Sequence, residues 1–332
     1  MEKPVMIVKR MRFLCVFLLC VLMMPSSRVV AQMPFAQWLT EFRQEALNSG
    51  VSAATFDDAF EGVQPKPRVV ELDRSQPEFK LTLDQYVGRV VPQRRIDIGR
   101  RKLAEHTALL NKVSAKYGVQ PRFIVAFWGI ETDFGRLTGG FYVIEALATL
   151  AYDGRRSAFF RKQLLDALLI LDEGHIARDQ MTGSWAGAMG QAQFMPSTFR
   201  AYAVDFDGDK RIDLWNSKAD VFASAANYLS QVGWRDDQTW GREVLLPKGF
   251  NGSHVGRKNR QPLAQWQSLG VRRLNGQALP TRSLDAGLIQ PDGPGSRAFL
   301  VYRNFDSILN WNRSERFGVA VGTLADAVAK GQ

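Results

Sequence analysis

An eight-residue run of apolar or small side chains at positions 123–130 sets a strict condition on the fold. Pro121 stands just before the run, where proline commonly opens a helix, and Gly118 is a typical end for the helix before it. A helix that is apolar on nearly every side offers no face to water, so it must be enclosed by other elements. The sequence therefore predicts that this helix is buried inside the protein.

Elsewhere, apolar residues recur at intervals near 3.6 residues, the period of an amphipathic helix. This pattern predicts helices at residues 35–47, 96–117, 157–171, 220–232, 305–311 and 317–329. Ser157 is the expected N-cap of its helix, and the prolines between positions 65 and 77 indicate an extended connection. Short strand-like runs occur at 242–246, 263–269, 272–274, 287–290 and 298–301. Helices, a small sheet and more helices predict an α+β fold that is mostly helical.

The first 31 residues have the composition of a secretory signal peptide. Basic residues precede an apolar run from Phe13 to Met24, and small residues lead to an expected cleavage after Ala31. Twelve apolar residues are fewer than the ~20 that span a bilayer, although a retained anchor is the alternative. Cys15 and Cys20 lie inside the run, and the flanks of Cys20 do not favour lipid attachment. A soluble exported protein without cysteine is expected.

The exported chain would carry 38 Lys and Arg residues against 32 Asp and Glu, a formal charge of +6. A basic surface favours anionic partners. Export argues against nucleic acid, so an anionic polymer or membrane face outside the cytoplasm is the better match.

Glu131 follows the apolar run directly and is the most informative single residue. Desolvation at an apolar helix end raises the pKa of a carboxyl group and keeps it protonated nearer neutral pH, as a general acid requires. A structural glutamate paired with an arginine would explain the same pattern, so the residues alone leave both roles open. Asp133, two positions further on, should face another side and form no carboxyl pair with Glu131.

The stretch from Gly183 to Ser197 is rich in small residues and also contains polar ones. Small side chains let a ligand approach the backbone closely. Ser184, Gln191 and Gln193 are suited to hydrogen-bond the hydroxyl and N-acetyl groups of sugars. A tight crossing of two helices needs small residues as well, so the stretch alone does not decide between the two.

Asp205, Asp207 and Asp209 place carboxylates at alternate positions of one loop. Oxygens in this pattern wrap a hard cation such as Ca²⁺, with the main-chain carbonyl of Arg211 as a fourth ligand. The alternative is an acidic, solvated turn, although three like charges this close repel one another without a cation.

The loop departs from the standard EF-hand at two positions. Lys210 stands where glycine is usual, and Asn216 stands where a bidentate glutamate is usual. Asp220 lies a little further on and is expected to supply the missing carboxylate.

Four motifs occur in order and together resemble the lytic murein transglycosylase B family. They are Trp-Gly-Ile-Glu-Thr around Glu131, the Ser-Trp-Ala-Gly-Ala-Met-Gly-Gln-x-Gln-Phe-Met-Pro-Ser stretch, the Asp-Phe-Asp-Gly-Asp loop with Leu214-Trp215, and Tyr302-Arg303-Asn304-Phe305 with Trp311-Asn312-Arg313-Ser314. The resemblance covers about residues 34–329, nearly all of the exported chain.

The resemblance implies a lysozyme-like core in a periplasmic protein. The expected segments are a signal peptide at 1–31, an N-terminal helical segment at 32–85, a catalytic core at 86–240 with the EF-hand-like loop, a small β part at 241–302, and C-terminal helices at 303–332. Members of the family cleave the β-1,4 bond between N-acetylmuramic acid and N-acetylglucosamine. They leave a 1,6-anhydromuramic end.

The resemblance also assigns site residues. Glu131 matches the single catalytic acid/base of the family. The residues that match the glycan cleft are Tyr86, Arg155, Arg156, Ser184, Gln193, Tyr228 and Asn312. Phe317 stands where a cleft tyrosine is expected, so that hydrogen bond should be missing. No cofactor is implied for catalysis, and a structural Ca²⁺ is implied for the loop.

The expected partners are peptidoglycan glycan strands and other cell-wall enzymes, bound by a monomer. A muramidase that uses the same acid with a water nucleophile is one alternative, because many acids in the chain could supply a second carboxylate. A non-catalytic cell-wall-binding protein is the other alternative, and the intact Glu131 argues against it.

Overall fold

The computed structural model describes residues 33–75 and 81–330, so the predicted signal peptide lies outside the described part. Six helices form the N-terminal portion: α1 (Phe35–Asn48), α2 (Ala53–Phe60), α3 (Pro67–Arg74), α4 (Leu83–Val90), α5 (Gln93–Glu105) and α6 (Thr107–Tyr117). The extended connection predicted around the prolines was wrong for residues 67–74. Pro67 occupies the first helical position, where its missing N–H costs nothing.

Five further helices follow: α7 (Pro121–Thr132), α8 (Val143–Asp153), α9 (Ser157–Asp172), α10 (Pro196–Tyr202) and α11 (Lys218–Gln231). Every residue of α7 from Phe123 to Gly129 is buried, as the apolar run predicted. Helix α7 packs against α5, α6 and α11, and it packs most extensively against the C-terminal helix of the chain. The carboxyl end of α7 is therefore held from several sides.

Two predicted features of the helical portion need correction. The single helix expected at 96–117 is two helices, because the chain breaks at His106, whose φ and ψ of −106° and 16° are not helical. Ser157 is the first helical residue and not the N-cap, and its hydroxyl donates to the Ala151 carbonyl at 2.6 Å. None of the helices in the described residues is both long enough and apolar enough to cross a bilayer.

Two antiparallel sheets complete the fold with three more helices. The strands are β1 (Phe141–Tyr142), β2 (Thr182–Gly183), β3 (Gly241–Leu245), β4 (Gly256–Pro262), β5 (Arg272–Arg273), β6 (Asp285–Ile289) and β7 (Ala298–Val301). The helices are α12 (Leu263–Ser268), α13 (Arg303–Trp311) and α14 (Glu315–Ala329). Strands β1 and β2 pair with each other, and the larger sheet has the order β4-β6-β7-β3-β5. The mostly helical α+β prediction is confirmed.

The prediction of a strand at 263–269 was wrong, because this segment forms helix α12. The preceding strand β4 was not predicted from the sequence. Leu263 and Trp266 are three residues apart, so they share one face of α12 and join the apolar core of the larger sheet with Val244, Leu288 and Leu300. The sequence of β4, Gly-Arg-Lys-Asn-Arg-Gln-Pro, has no apolar alternation to indicate a strand. Its strand geometry comes from pairing with β6.

Candidate active site

Glu131 is the penultimate residue of α7, and the chain turns sharply just after it. Asp133 ends the helix in the left-handed conformation with a φ of 50°, and Phe134 continues the turn at 63°. The indole Nε1 of Trp311, at the end of α13, donates a hydrogen bond to Glu131 Oε1 at 2.9 Å. Two helix ends that are 180 residues apart in sequence thus fix the position of one carboxyl group.

Burial governs the acidity of Glu131. The residue keeps part of its surface open to a cavity, but protein atoms surround its carboxyl group. This desolvation raises the pKa of Glu131 to about 7, and the hydrogen bond from Trp311 opposes part of the rise because it stabilises the ionised form. A carboxyl group with a pKa in this range can both give and take a proton near neutral pH.

The carboxyl group opens into a cavity of about 240 Å³ between α4, α7 and the start of α14. Its lining residues are Leu81, Tyr86, Arg89, Val90, Ile130, Glu131, Asn312 and Phe317. Glu131 is the single acid among these described lining residues. Tyr86 and Asn312 lie beside it at positions that the sequence had singled out, and Phe317 supplies an apolar wall without a hydroxyl group.

Arg89 was missed by the sequence reasoning, although it lines the same cavity. It lies one helical turn after Tyr86 on α4, so both side chains face the same way. Only that spacing could have indicated its position, because no motif contains Arg89.

Asp133 is held apart from Glu131 by three arginines, as expected for a residue on another face. Arg136 Nε donates to its carboxylate at 2.8 Å, Arg94 NH1 at 3.1 Å and Arg95 Nε at 3.3 Å. Burial of Asp133 opposes ionisation, but these hydrogen bonds outweigh it and hold its pKa below the usual value. Asp133 is thus a fixed anion in the described structure and not a second acid for the cavity.

An aromatic group backs the Trp311 indole. The ring of Trp311 lies 4.5 Å from that of Phe127, 5.1 Å from Tyr228 and 5.2 Å from Phe194, measured between centroids. Burial raises the pKa of Tyr228 to about 12, so its hydroxyl stays protonated. The structure places Tyr228 behind Trp311, and its predicted contact with glycan remains a prediction.

The small-residue stretch uses its polar side chains to hold its own shape. Ser184 Oγ accepts hydrogen bonds from the backbone N–H groups of Ala186 and Ala188, at 3.3 and 3.0 Å. Gln193 has a φ of 50°, and its Nε2 donates to the carbonyls of Gly190 and Thr138, at 2.9 and 3.0 Å. Neither residue lines the Glu131 cavity, and their role in binding glycan remains a prediction.

Gln191, the third polar residue of that stretch, joins it to α7. Its Oε1 accepts from the indole of Trp128 on α7 at 2.9 Å, and its Nε2 donates to the Trp215 carbonyl at 2.6 Å. The stretch is therefore tied to both α7 and the acidic loop.

Arg155 and Arg156 are engaged with Asp73 and not with Glu131. Asp73 is buried, with 3% of its surface exposed, and Arg155 Nε donates to it at 2.7 Å while Arg156 also pairs with it. Burial of Asp73 is outweighed by these hydrogen bonds, so its pKa stays below the usual value. The predicted cleft role of the two arginines remains a prediction that this geometry does not support.

The acidic loop brings Asp205, Asp207 and Asp209 together. One oxygen of each lies within 4.8 Å of the others. Lys210 has the left-handed φ of 71° that glycine usually takes at this position, so the loop keeps its turn despite the substitution. Three convergent carboxylates are a donor set that suits Ca²⁺.

Asp220 is not part of this group of three carboxylates, and its predicted role as a ligand remains a prediction. It is buried, and its two oxygens accept the backbone N–H groups of Phe206 and Asp213 at 2.7 and 2.8 Å. Asp220 therefore closes the loop at its base. The Arg211 N–H donates to Asp209 at 2.8 Å, and its carbonyl remains a predicted ligand.

The mostly helical α+β fold, with the desolvated carboxyl group of Glu131 at the end of α7, is that of a lysozyme-like protein. The family described as the transglycosylase SLT domain matches residues 34–326, and the chain belongs to it. Its place within that family is with the lytic murein transglycosylase B proteins.

Three relatives show the extent of this similarity. Membrane-bound lytic murein transglycosylase B of Escherichia coli K12 is 36% identical over 227 residues, which span 66% of this chain and 60% of that protein. The structure of Pseudomonas aeruginosa SltB3 with NAG-anhNAM-pentapeptide has a TM-score of 0.87 at 48% identity, covering 90% of this chain and 80% of that one. Escherichia coli lytic transglycosylase Slt35, solved with calcium, has a TM-score of 0.76 at 28% identity, covering 93% and 99%.

Proposed function

We propose that this protein is a peptidoglycan lytic transglycosylase that cleaves the β-1,4 bond between N-acetylmuramic acid and N-acetylglucosamine. The observation that carries the proposal is the single desolvated carboxyl group of Glu131 in its cavity. Glycosidases that add water typically need two carboxyl groups about 5–10 Å apart. Among the described lining residues Glu131 has no such partner, which favours a reaction whose nucleophile belongs to the substrate.

The proposed chemistry uses the Glu131 proton twice. Protonated Glu131 donates to the glycosidic oxygen as the bond to C1 of the muramic residue breaks, and the N-acetyl group of that residue assists from the opposite face. The resulting carboxylate then takes the proton of the C6 hydroxyl group as its oxygen bonds to C1. The carboxyl group ends in its starting state, and the products are a free N-acetylglucosamine hydroxyl and a 1,6-anhydromuramic end.

A pKa near 7 suits both steps. General acid–base catalysis is most effective when the pKa of the group lies near the working pH, and it contributes roughly 10²–10⁴-fold in rate. The Trp311 indole keeps Oε1 in place through both protonation states. The complex of SltB3 with NAG-anhNAM-pentapeptide supports this assignment, since it holds a sugar with an anhydro end.

Digestion of purified peptidoglycan tests the proposal. Mass spectrometry of the soluble muropeptides should show anhydro ends. Products heavier by one water, about 18 mass units, would instead identify a hydrolase, because a glycosidase adds water across the bond. The absence of any cleavage would identify a binding protein. Glu131→Gln is the matched control, because it keeps the shape of the side chain and removes the proton.

We further propose that the chain acts in the periplasm as a monomer, exported by the cleaved signal peptide, on glycan strands and alongside other cell-wall enzymes. Asp205, Asp207, Asp209 and the Arg211 carbonyl would hold a structural Ca²⁺, which supplies positive charge between carboxylates that otherwise repel. The calcium complex of Slt35 supports this part. Catalysis itself is proposed to need no cofactor.

A further inference from the structure

The positive charge of the protein is concentrated in the β part, residues 241–302. This segment has nine Lys and Arg residues against three Asp and Glu, whereas the rest of the chain from residue 32 onward has 29 of each. The whole charge of +6 thus belongs to 62 residues that lie outside the Glu131 cavity. Such a concentration favours binding of an anion at this part of the molecule.

Most of these cations have no carboxylate partner in the described structure. Asp306 pairs with Arg257 and Arg260, and Glu243 pairs with Arg297. The others form no ion pair with any described acid; they are Arg242, Lys248, Lys258, Arg272, Arg273 and Arg282. An acid beside each of these residues would have neutralised its charge. Without such partners, their positive charges are available to bind an anion.

Two of these arginines share one face of the larger sheet, and one of them contacts the Tyr302 hydroxyl group. Arg242 Nε on β3 donates to Tyr302 Oη at 2.8 Å. Arg273 on β5 lies opposite Val244, so it shares a sheet face with Arg242, and its Nε is buried without a hydrogen-bond partner among the described residues. Burial raises the pKa of Tyr302, and the nearby positive charges, Arg242 first among them, oppose that rise.

Arg282 lines a second cavity, in the same β part. A cavity of about 550 Å³ lies between α12 and the segment 278–283, and Arg282 is the one charged side chain among its described lining residues. The other walls are mainly small and apolar, formed by Pro262, Leu263, Ala264, Leu279 and Pro280. Gln267 Oε1 accepts the Leu279 N–H at 2.7 Å, which fixes the loop against the helix. The volume falls in the range of small-ligand sites, roughly 300–1,000 Å³.

We infer that this cavity of the β part is a second binding site, which takes the carboxylate ends of the stem peptides that peptidoglycan carries. An arginine fork binds a carboxylate through two parallel hydrogen bonds. The apolar walls accommodate short side chains next to that carboxylate, and the cavity admits a peptide more readily than a hydrated sugar. The inference rests on the proposed peptidoglycan substrate and adds a contact away from Glu131 that holds the enzyme on the polymer.

Binding of a synthetic stem pentapeptide to the full exported chain tests the inference. The chain carries Glu131→Gln, and calorimetry compares the free acid of the peptide with its C-terminal amide. Arg282 is exposed, so Arg282→Ala should fold normally and weaken binding of the acid by about tenfold, the loss expected for one charge-assisted hydrogen bond. With Arg282 intact, the C-terminal amide of the peptide should bind as weakly as the free acid binds to Arg282→Ala.

Lys258→Ala is the matched control. Lys258 is exposed on β4 and lies outside the cavity. Its replacement by alanine removes one positive charge, as Arg282→Ala does. It should leave peptide binding unchanged, and Arg282→Lys should restore it only in part because lysine lacks the fork. Equal losses in Arg282→Ala and Lys258→Ala would overturn the inference, as would equal binding of acid and amide. Arginine-dependent binding of phosphatidylglycerol vesicles without peptide binding would also overturn it and indicate a membrane face.

Activity separates this inference from the proposed function. With Glu131 intact, Arg282→Ala should raise KM on peptide-bearing sacculi and leave cleavage of peptide-free glycan unchanged. Anhydro products without peptide binding would refute the second site alone. Peptide binding by a chain that releases no anhydro products would refute the proposed reaction alone.

Discussion

The Trp311 indole donates a 2.9 Å hydrogen bond to Glu131 Oε1, and this polar contact opposes the effect of desolvation on the carboxyl group. The contact joins the end of α13 to the end of α7 and so couples the C-terminal helices to the helix that carries Glu131. Because the bond stabilises the ionised form, Trp311 limits the rise in the pKa of Glu131 that burial causes.

Trp311→Phe should therefore raise the pKa of Glu131 further. In a pH profile of cleavage, the alkaline limb, where the acid loses its proton, should move to higher pH, and the maximal rate should fall because the carboxyl group is less well held. Trp240→Phe removes an indole bond to Asp326 instead and should leave the limb in place. An unchanged limb in Trp311→Phe would contradict the role assigned to the indole.

Glu131→Gln should make folding less sensitive to pH. The pKa of Glu131 is about 7 in the folded protein against an ordinary value of 4.5, so the folded state binds more protons between these two pH values. Stability is then lost as pH rises from about 4.5 through 7. The glutamine variant avoids this loss, so its melting temperature should exceed that of the wild type more at pH 8 than at pH 5. Equal differences at both pH values would show that Glu131 is not desolvated.

Asp133→Asn should destabilise the protein strongly. The substitution leaves Arg94, Arg95 and Arg136 without the carboxylate they share, and breaking a buried ion pair costs about 3–5 kcal/mol, less here because two of the arginines are well exposed. The depressed pKa of Asp133 contributes stability above its unfolded value that is lost as pH falls through the folded one. Urea unfolding at pH 7 and pH 3 should show the difference between variant and wild type shrinking at the lower pH.

The buried helix and its terminal glutamate were predictable because both follow from local pattern. Apolar residues on every side of α7 require burial, and burial of a helix end desolvates the carboxyl group that follows. The contact of Glu131 with Trp311 was not predictable, since it depends on how α13 packs 180 residues later.

Other misses have the same physical origin. Arg155 and Arg156 form ion pairs with Asp73, some 82 residues earlier in the sequence. Only the tertiary fold brings that carboxylate within reach of the two arginines. Strand β4 is polar along its length and owes its conformation to its neighbour β6. Local sequence indicates which residues must be buried or ionised, whereas the partners of charged side chains are chosen by packing.

The acidic loop offers the last prediction. If Asp205, Asp207 and Asp209 bind Ca²⁺, the ion binds only the folded loop, so millimolar Ca²⁺ should raise the melting temperature and a chelator should lower it. Affinity should be weak, about 10⁻⁴–10⁻³ M as in extracellular modules, because Lys210 adds a positive charge and Asp220 is occupied by backbone N–H groups.

Two variants separate calcium binding from loop folding. Asp205→Ala should abolish the calcium-dependent shift while cleavage by Glu131 survives at low temperature. Lys210→Gly should enlarge the shift, because glycine takes the left-handed φ of 71° without strain and the substitution removes a charge that repels the cation. Asp84→Ala, at an exposed carboxylate far along the chain, is the control and should leave the shift intact. Melting curves that ignore both Ca²⁺ and chelator would identify the loop as an acidic turn closed by Asp220.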